Sequence, residues 1–285
     1  MSRRPFLSIA ALSALLAVPA AAAPFKPTRI SVAVRGTGPD VVLIPGLTAS
    51  RGVWNGTVAA VPGYRYHLVQ VAGFAGTAAG RNGAGNVAAP VADEIARYIA
   101  ARHLGRPAIV GHSMGGSIAM MIGARHPEAA GRIMVVDMLP SPTRPFGVSP
   151  AAVKPLAAVI GGEIEGAGRL RSELKPLVGW VGNSDWLESR SDAGVVGRSL
   201  AELLSTDLGP ELTAIRAPLT VLYACPAKLS YACGPLTRAY TSAYARRPGT
   251  KLVRIERSGH TIMWDQPAAF QAALRDFLAG RQERQ

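Results

Sequence analysis

Short β-branched runs alternate along the chain with longer, alanine-rich segments whose apolar residues recur at helical spacing. Apolar runs bounded by turn residues predict strands at 30–34, 41–44, 66–71, 108–110, 133–136, 219–223 and 252–255. Helical spacing predicts helices at 87–103, 114–125, 193–204 and 267–278. Strands separated by helices indicate an α/β fold with a mostly parallel central sheet flanked by helices.

The strand pattern stops between residues 140 and 218. Five prolines fall from Pro140 to Pro155, and the later periodic pieces, such as 193–204, are helical. We therefore predict a single domain over 23–285 with a helical cap insertion at about 140–218, placed where it can cover a site.

Composition fits a large folded core. Of the 285 residues, 48% are hydrophobic and 17% are charged, which excludes disorder, collagen and a small disulfide scaffold. The net charge is +13, but the basic residues form no run interleaved with aromatics, so we expect no nucleic-acid partner. The cationic surface is either simply solvated or contacts anionic cell-envelope material.

Residues 1–22 have the pattern of a signal peptide. Arg3 and Arg4 precede an apolar run at 6–18, and small residues follow at Ala20 and Ala22. The run is too short for a comfortable span, and no later stretch reaches about 18 apolar residues. We expect cleavage near residue 23, a periplasmic or secreted protein, and no integral membrane segment after cleavage.

Cys225 and Cys233 are the two cysteines. In an oxidising compartment they predict a local disulfide rather than a metal site, because no Cys-x-x-Cys motif and no nearby histidine accompanies them. The sequence implies no metal and no cofactor.

Ser113 is the candidate nucleophile, in the run Gly-His-Ser-Met-Gly-Gly at 111–116. This Gly-x-Ser-x-Gly motif stands between a predicted strand and a predicted helix, which is the setting of a nucleophile elbow. The start of the helix places the Met114 N–H where an oxyanion would form. The alternative is a serine that only caps the helix.

A serine nucleophile requires a base, and His260 is the candidate. It follows the last predicted strand, at the sheet edge where Ser113 also lies. His112 is expected to point away from the nucleophile, and the other three histidines carry no partner motif: His67, His103 and His126. The alternative for His260 is an ordinary surface-loop histidine.

Together these segments resemble the α/β-hydrolase superfamily over nearly the whole mature chain. Leu-Ile-Pro-Gly-Leu at 43–47 is similar to the family's His-Gly-x segment, with Pro45 where histidine is usual. The segment 258–260, with Asp-Gln-Pro at 265–267, resembles the catalytic-histidine region. The resemblance implies an α/β-hydrolase fold and an oxyanion hole formed by the backbone N–H groups of Leu47 and Met114.

The position of the acidic residue that would orient His260 departs from the family pattern. Its usual place, after the strand before the last, contains no carboxylate at 223–230. Some relatives carry the acid one strand earlier, where this chain has Asp137, so the resemblance implies that Asp137 orients His260. Alternatively Asp137 is non-catalytic, as in many relatives. The predicted disulfide at the place without an acid is consistent with a relocated acid and equally with loss of activity.

Serine rather than aspartate at position 113 favours an acyl-enzyme route, and the expected substrate is a small-molecule ester or thioester. The alternatives are an acyltransferase using the same triad, a catalytically silent binding protein, and adhesion through the cationic surface. Trp180 and Trp186 in the cap line a substrate pocket or belong to the cap interior. The sequence predicts no particular oligomeric state.

Overall fold

The computed structural model describes residues 25–161, 190–226, 231 and 233–280. The predicted leader at 1–22 and the cap residues Trp180 and Trp186 lie outside the described residues. Within the described ranges, no helix combines the length and apolar character needed to cross a membrane.

A seven-stranded sheet forms the centre of the protein. Its strands are β1 Ile30–Arg35, β2 Asp40–Ile44, β3 Arg65–Val71, β4 Ala108–His112, β5 Arg132–Val136, β6 Leu219–Cys225 and β7 Lys251–Glu256. The order across the sheet is β1-β3-β2-β4-β5-β6-β7, in which β1 pairs antiparallel with β3 and the other pairs are parallel. The predicted mostly parallel sheet is confirmed.

Helices lie on both faces of this sheet. They are α1 Asn55–Ala60, α2 Ala88–Ala101, α3 Met114–Arg125, α4 Pro150–Gly161, α5 Ala193–Ser205, α6 Cys233–Tyr244, α7 Ile262–Asp265 and α8 Pro267–Ala279. Short 3-10 turns occur at Arg51–Trp54, Gly80–Gly83, Arg144–Phe146 and Pro210–Ala214. The four helices that the periodicity predicts correspond to α2, α3, α5 and α8.

The central strands β2, β4, β5 and β6 are largely apolar because both faces of the sheet are covered there. In β2, Val42 and Ile44 belong to one buried cluster with residues of α2 and α3. Val41 and Leu43 point to the opposite face and belong to a second cluster with residues of α8. Since successive side chains of a strand alternate between faces, a strand buried on both sides is a continuous apolar run.

The described parts of this insertion, 140–161 and 190–218, contain helices and turns and no strand; β6 begins at Leu219. Helix α4 packs against α5, and the buried Glu202 of α5 accepts hydrogen bonds from three consecutive N–H groups at the start of α2. These donors are Val87, Ala88 and Ala89, at 2.6, 2.7 and 2.9 Å. A carboxylate bound at a helix N-terminus therefore joins this insertion to the main body.

Candidate active site

The predicted site residues lie at the carboxyl ends of parallel strands. Ser113 directly follows β4, Asp137 directly follows β5, and His260 and Leu47 come shortly after β7 and β2. Because the carboxyl ends of parallel strands meet at one edge of a sheet, the topology gathers these residues at that edge.

Ser113 occupies a strained elbow. Its backbone has φ 53° and ψ −123°, a conformation that L-residues rarely adopt and that is typical of functional sites. A Cβ on Gly111 would lie 2.0 Å from the carbonyl oxygen of Gly115, and a Cβ on Gly115 would lie 2.3 Å from that of Ile44. Both neighbours are backbone atoms, so these two positions require glycine.

The segment 43–47 packs against this elbow. A Cβ on Gly46 would come within 3.1 Å of the Ser113 Cβ, and the next residue, Leu47, is buried. On the other side Met114 is the first residue of α3, where backbone N–H groups have no partner within the helix. The two predicted oxyanion donors thus belong to segments that adjoin Ser113.

His260 and Asp137 form a direct contact. The His260 Nδ1 lies 2.8 Å from the Asp137 Oδ2, although the residues are 123 positions apart in the chain. The Asp137 side chain is only 13% exposed and that of His260 is 31% exposed. Asp137 has φ 51°, a second strained position in the site.

Two further donors reach the Asp137 carboxylate. The backbone N–H of Ala224 and the hydroxyl of Tyr240 each donate to Oδ1 at 3.0 Å. Burial disfavours the charged form, yet the hydrogen bonds and the charge of His260, together with these two donors, hold the pKa of Asp137 below its ordinary value. The carboxylate is therefore anionic at neutral pH.

The end of β6, where the resemblance places the acid of most relatives, supports the Asp137 side chain instead. At the end of β6, Ala224 contributes only its N–H group, and Cys225 is joined to Cys233 by a disulfide, the pairing that the sequence predicts. Among the described residues the one cluster of possible metal ligands contains both of these sulfurs with Glu256, and the disulfide removes the thiolates that a metal requires.

His112 has a contact that the sequence does not predict. Its Nε2 lies 2.9 Å from the backbone carbonyl oxygen of His260, and the two rings are 4.8 Å apart between centroids. Complete burial and the nearby His260 lower the pKa of His112 to about 3, so its ring is neutral and Nε2 is the donor. The only indication of this contact in the sequence is that His112 directly precedes Ser113.

The second ring nitrogen of His260, Nε2, is not the one that contacts Asp137. Nε2 is buried and has no hydrogen-bond partner among the described residues. With Nδ1 bound to Asp137, Nε2 is the nitrogen available to exchange a proton with a reacting group.

The Alpha/beta hydrolase family matches this chain over residues 41–273. The chain belongs to that family. One relative, the pimeloyl-(acyl-carrier protein) methyl ester esterase of Aeromonas hydrophila subsp. hydrophila, is 24% identical over 273 residues, which cover 87% of this chain and 99% of the relative.

Solved structures of an esterase and an enol-lactonase share the fold. A thermophilic esterase from Thermogutta terrifontis superposes with a TM-score of 0.68 at 19% identity, covering 88% of this chain and 93% of that one. The enol-lactonase from Burkholderia xenovorans LB400 gives a TM-score of 0.67 at 18% identity, covering 88% and 96%. The methyl ester esterase among the sequence relatives supports a hydrolase, and the family assignment confirms the resemblance in the sequence.

Proposed function

We propose that this alpha/beta hydrolase is a serine hydrolase that cleaves a small-molecule carboxylic ester or thioester. The observation that carries the proposal is the 2.8 Å contact of His260 Nδ1 with Asp137 Oδ2, at the sheet edge that also holds Ser113. A methyl ester esterase, a thermophilic esterase and an enol-lactonase among the relatives support an ester as the substrate class.

Acylation begins with proton transfer. His260 Nε2 takes the proton of the Ser113 hydroxyl as the serine oxygen attacks the ester carbonyl. The backbone N–H groups of Leu47 and Met114 bind the tetrahedral oxyanion. Asp137 keeps the His260 ring in the tautomer with Nδ1 protonated and stabilises the imidazolium that forms.

Collapse of the intermediate breaks the ester bond. The departing alkoxide takes the proton from His260, and the acyl group stays on Ser113. Water then attacks the acyl-enzyme with His260 again acting as base, which releases the carboxylic acid and restores the serine. The proposed cycle uses no metal and no cofactor.

Turnover of a short-chain p-nitrophenyl ester by three variants tests the triad. We expect Ser113→Ala to lower kcat by about 10³-fold or more, and Asp137→Asn and Asp137→Ala by about 10² to 10⁴-fold. Asp93→Asn is the matched control, because Asp93 makes a contact of the same 2.8 Å length with His126 on the surface. Its activity should equal that of the wild type.

Other outcomes identify the alternatives. Activity that needs Ser113 but not Asp137 contradicts the acid assignment and indicates a Ser-His dyad or another carboxylate. Absence of turnover together with absence of Ser113 labelling by an organophosphonate favours a catalytically silent binding protein. Transfer of the acyl group to an added alcohol in preference to water identifies an acyltransferase.

We also propose that the mature protein acts in the periplasm or outside the cell. This location is supported by the leader pattern at 1–22 and by the disulfide between Cys225 and Cys233. N-terminal sequencing of protein recovered from the periplasmic or culture fraction should find a start near residue 23. Recovery in the cytoplasm with Met1 retained contradicts the proposal.

A further inference from the structure

One of the three donors to Asp137 is a side chain outside the proposed triad. The Tyr240 hydroxyl lies 3.0 Å from Oδ1, the oxygen that also accepts the Ala224 N–H, while Oδ2 faces His260. One carboxylate oxygen, Oδ1, therefore accepts the two supporting hydrogen bonds, and the other, Oδ2, contacts the histidine.

Tyr240 is held rigidly in this position. Its ring is buried and stacks on Tyr223, with ring centroids 4.5 Å apart and an interplanar angle of 18°. The Tyr240 ring also lies nearly parallel to that of Tyr244, with centroids 6.4 Å apart and an interplanar angle of 7°. The helix that carries it, α6, begins at Cys233, which the disulfide joins to the last residue of β6.

The chemistry of the hydroxyl fixes the direction of this hydrogen bond. Burial and the negative charge of Asp137 raise the pKa of Tyr240 well above its ordinary value, so the hydroxyl keeps its proton. An ionised carboxylate only accepts hydrogen bonds, so Tyr240 is the donor.

We propose that Tyr240 is a positioning residue that acts through Asp137: it fixes the rotation of the carboxylate so that Oδ2 stays aligned with His260 Nδ1. The inference rests on the proposed function of Asp137 as the acid. It explains how a carboxylate placed after β5, rather than after β6, is held in register with a histidine that follows β7.

Loss of this donor leaves Oδ1 with the Ala224 N–H alone. The carboxylate then has more rotational freedom, and the imidazole is correctly oriented for a smaller fraction of the time. Because Tyr240 contacts neither the reacting atoms nor the proposed oxyanion donors in this scheme, substrate binding is unaffected. The loss of this donor should therefore lower kcat.

Tyr240→Phe removes the hydroxyl and keeps the ring stack. With a p-nitrophenyl ester we expect kcat to fall about tenfold with KM within about twofold. The acidic limb of the kcat/KM profile should move to lower pH, because a carboxylate that is no longer held in alignment stabilises the imidazolium less. Unchanged kcat and an unchanged pH profile would overturn the proposal.

Tyr244→Phe is the matched control. Tyr244 is also buried in α6 and its hydroxyl donates to the Met138 carbonyl oxygen at 2.7 Å. Its removal should lower stability without moving the pH profile. An equal shift of the profile in both variants would mean that any lost hydroxyl in this helix has the effect, and it would overturn the specific role of Tyr240.

A double-mutant cycle separates positioning from general loosening of the fold. In an Asp137→Ala background, Tyr240→Phe should change kcat by less than about twofold, because its target is gone. A further tenfold loss in that background would show that Tyr240 acts elsewhere, and it would overturn the proposal.

An NMR measurement tests the role of Tyr240 even if the ester is not turned over. Absence of turnover by itself would count against the proposed function and not against the contact between Tyr240 and Asp137. At low pH the His260 Nδ1 proton bound to Asp137 should give a downfield proton NMR signal in the wild type and in Tyr244→Phe. We expect it to be absent in Asp137→Ala and broadened or shifted in Tyr240→Phe. An identical signal in the wild type and Tyr240→Phe would overturn the proposal.

Discussion

The His112 side chain holds the backbone of His260 in place: its Nε2 donates a 2.9 Å hydrogen bond to the His260 carbonyl oxygen. The residue beside the proposed nucleophile is therefore connected directly to the proposed base. Asp137 orients the imidazole ring of His260, and His112 positions the loop that carries it.

Removal of this donor should impair turnover. We expect His112→Leu to lower kcat about tenfold, because the His260 carbonyl loses its partner and the loop loosens. His112→Gln, whose amide nitrogen can reach a similar position, should recover most of the activity. Equal activity of the leucine variant and the wild type would contradict a role for this contact.

The same residue should make stability sensitive to acid. Its pKa is lowered to about 3 in the folded protein, whereas an unfolded chain binds the proton near pH 6.5. Between these values the unfolded state binds more protons, so the free energy of unfolding should decrease as pH falls from about 6.5, by at most ~1.4 kcal/mol per pH unit. Urea unfolding between pH 4.5 and 7 should give a shallower slope for His112→Gln. Equal slopes would contradict this assignment.

The disulfide should contribute measurably to stability. It closes a short loop, with a sequence separation of 8 between Cys225 and Cys233. A loop of this size predicts about 2.5 kcal/mol of stabilisation, which reduction or the Cys225→Ala/Cys233→Ala variant should remove. Urea unfolding measures this loss, and adding reductant to the double variant is the control. A midpoint that reductant leaves unchanged in the wild type would contradict the prediction.

Gly115 should tolerate no side chain. The added Cβ of Gly115→Ala would meet the Ile44 and Pro45 carbonyl oxygens at 2.3 and 2.7 Å, and we expect a cost of about 3 kcal/mol together with loss of activity. Gly56→Ala is the control, because no atom other than the neighbouring backbone of α1 lies within 4 Å of its Cβ position. That variant should be stabilised by up to ~1 kcal/mol in urea unfolding. Comparable stability of the two variants would contradict the close packing of the elbow.

Helix α6 illustrates where sequence patterns fail. Its sequence begins with cysteine, glycine and proline and buries only Cys233, Tyr240 and Tyr244. The apolar stripe that predicts a helix is therefore weak. Tertiary contacts stabilise this helix, since the disulfide joins its first residue to β6 and the stacked tyrosines pack it against the sheet.

The sequence by itself determined the strands, the elbow at Ser113 and the candidate base His260. A strand buried on both faces needs an unbroken apolar run, and an elbow needs glycines at fixed offsets between strand and helix, so both are local signals. Only the tertiary structure decided which carboxylate reaches His260 and that Tyr240, Ala224 and His112 support the pair. These partners are distant in the chain, and the order β5-β6-β7 in the sheet brings them within hydrogen-bond distance.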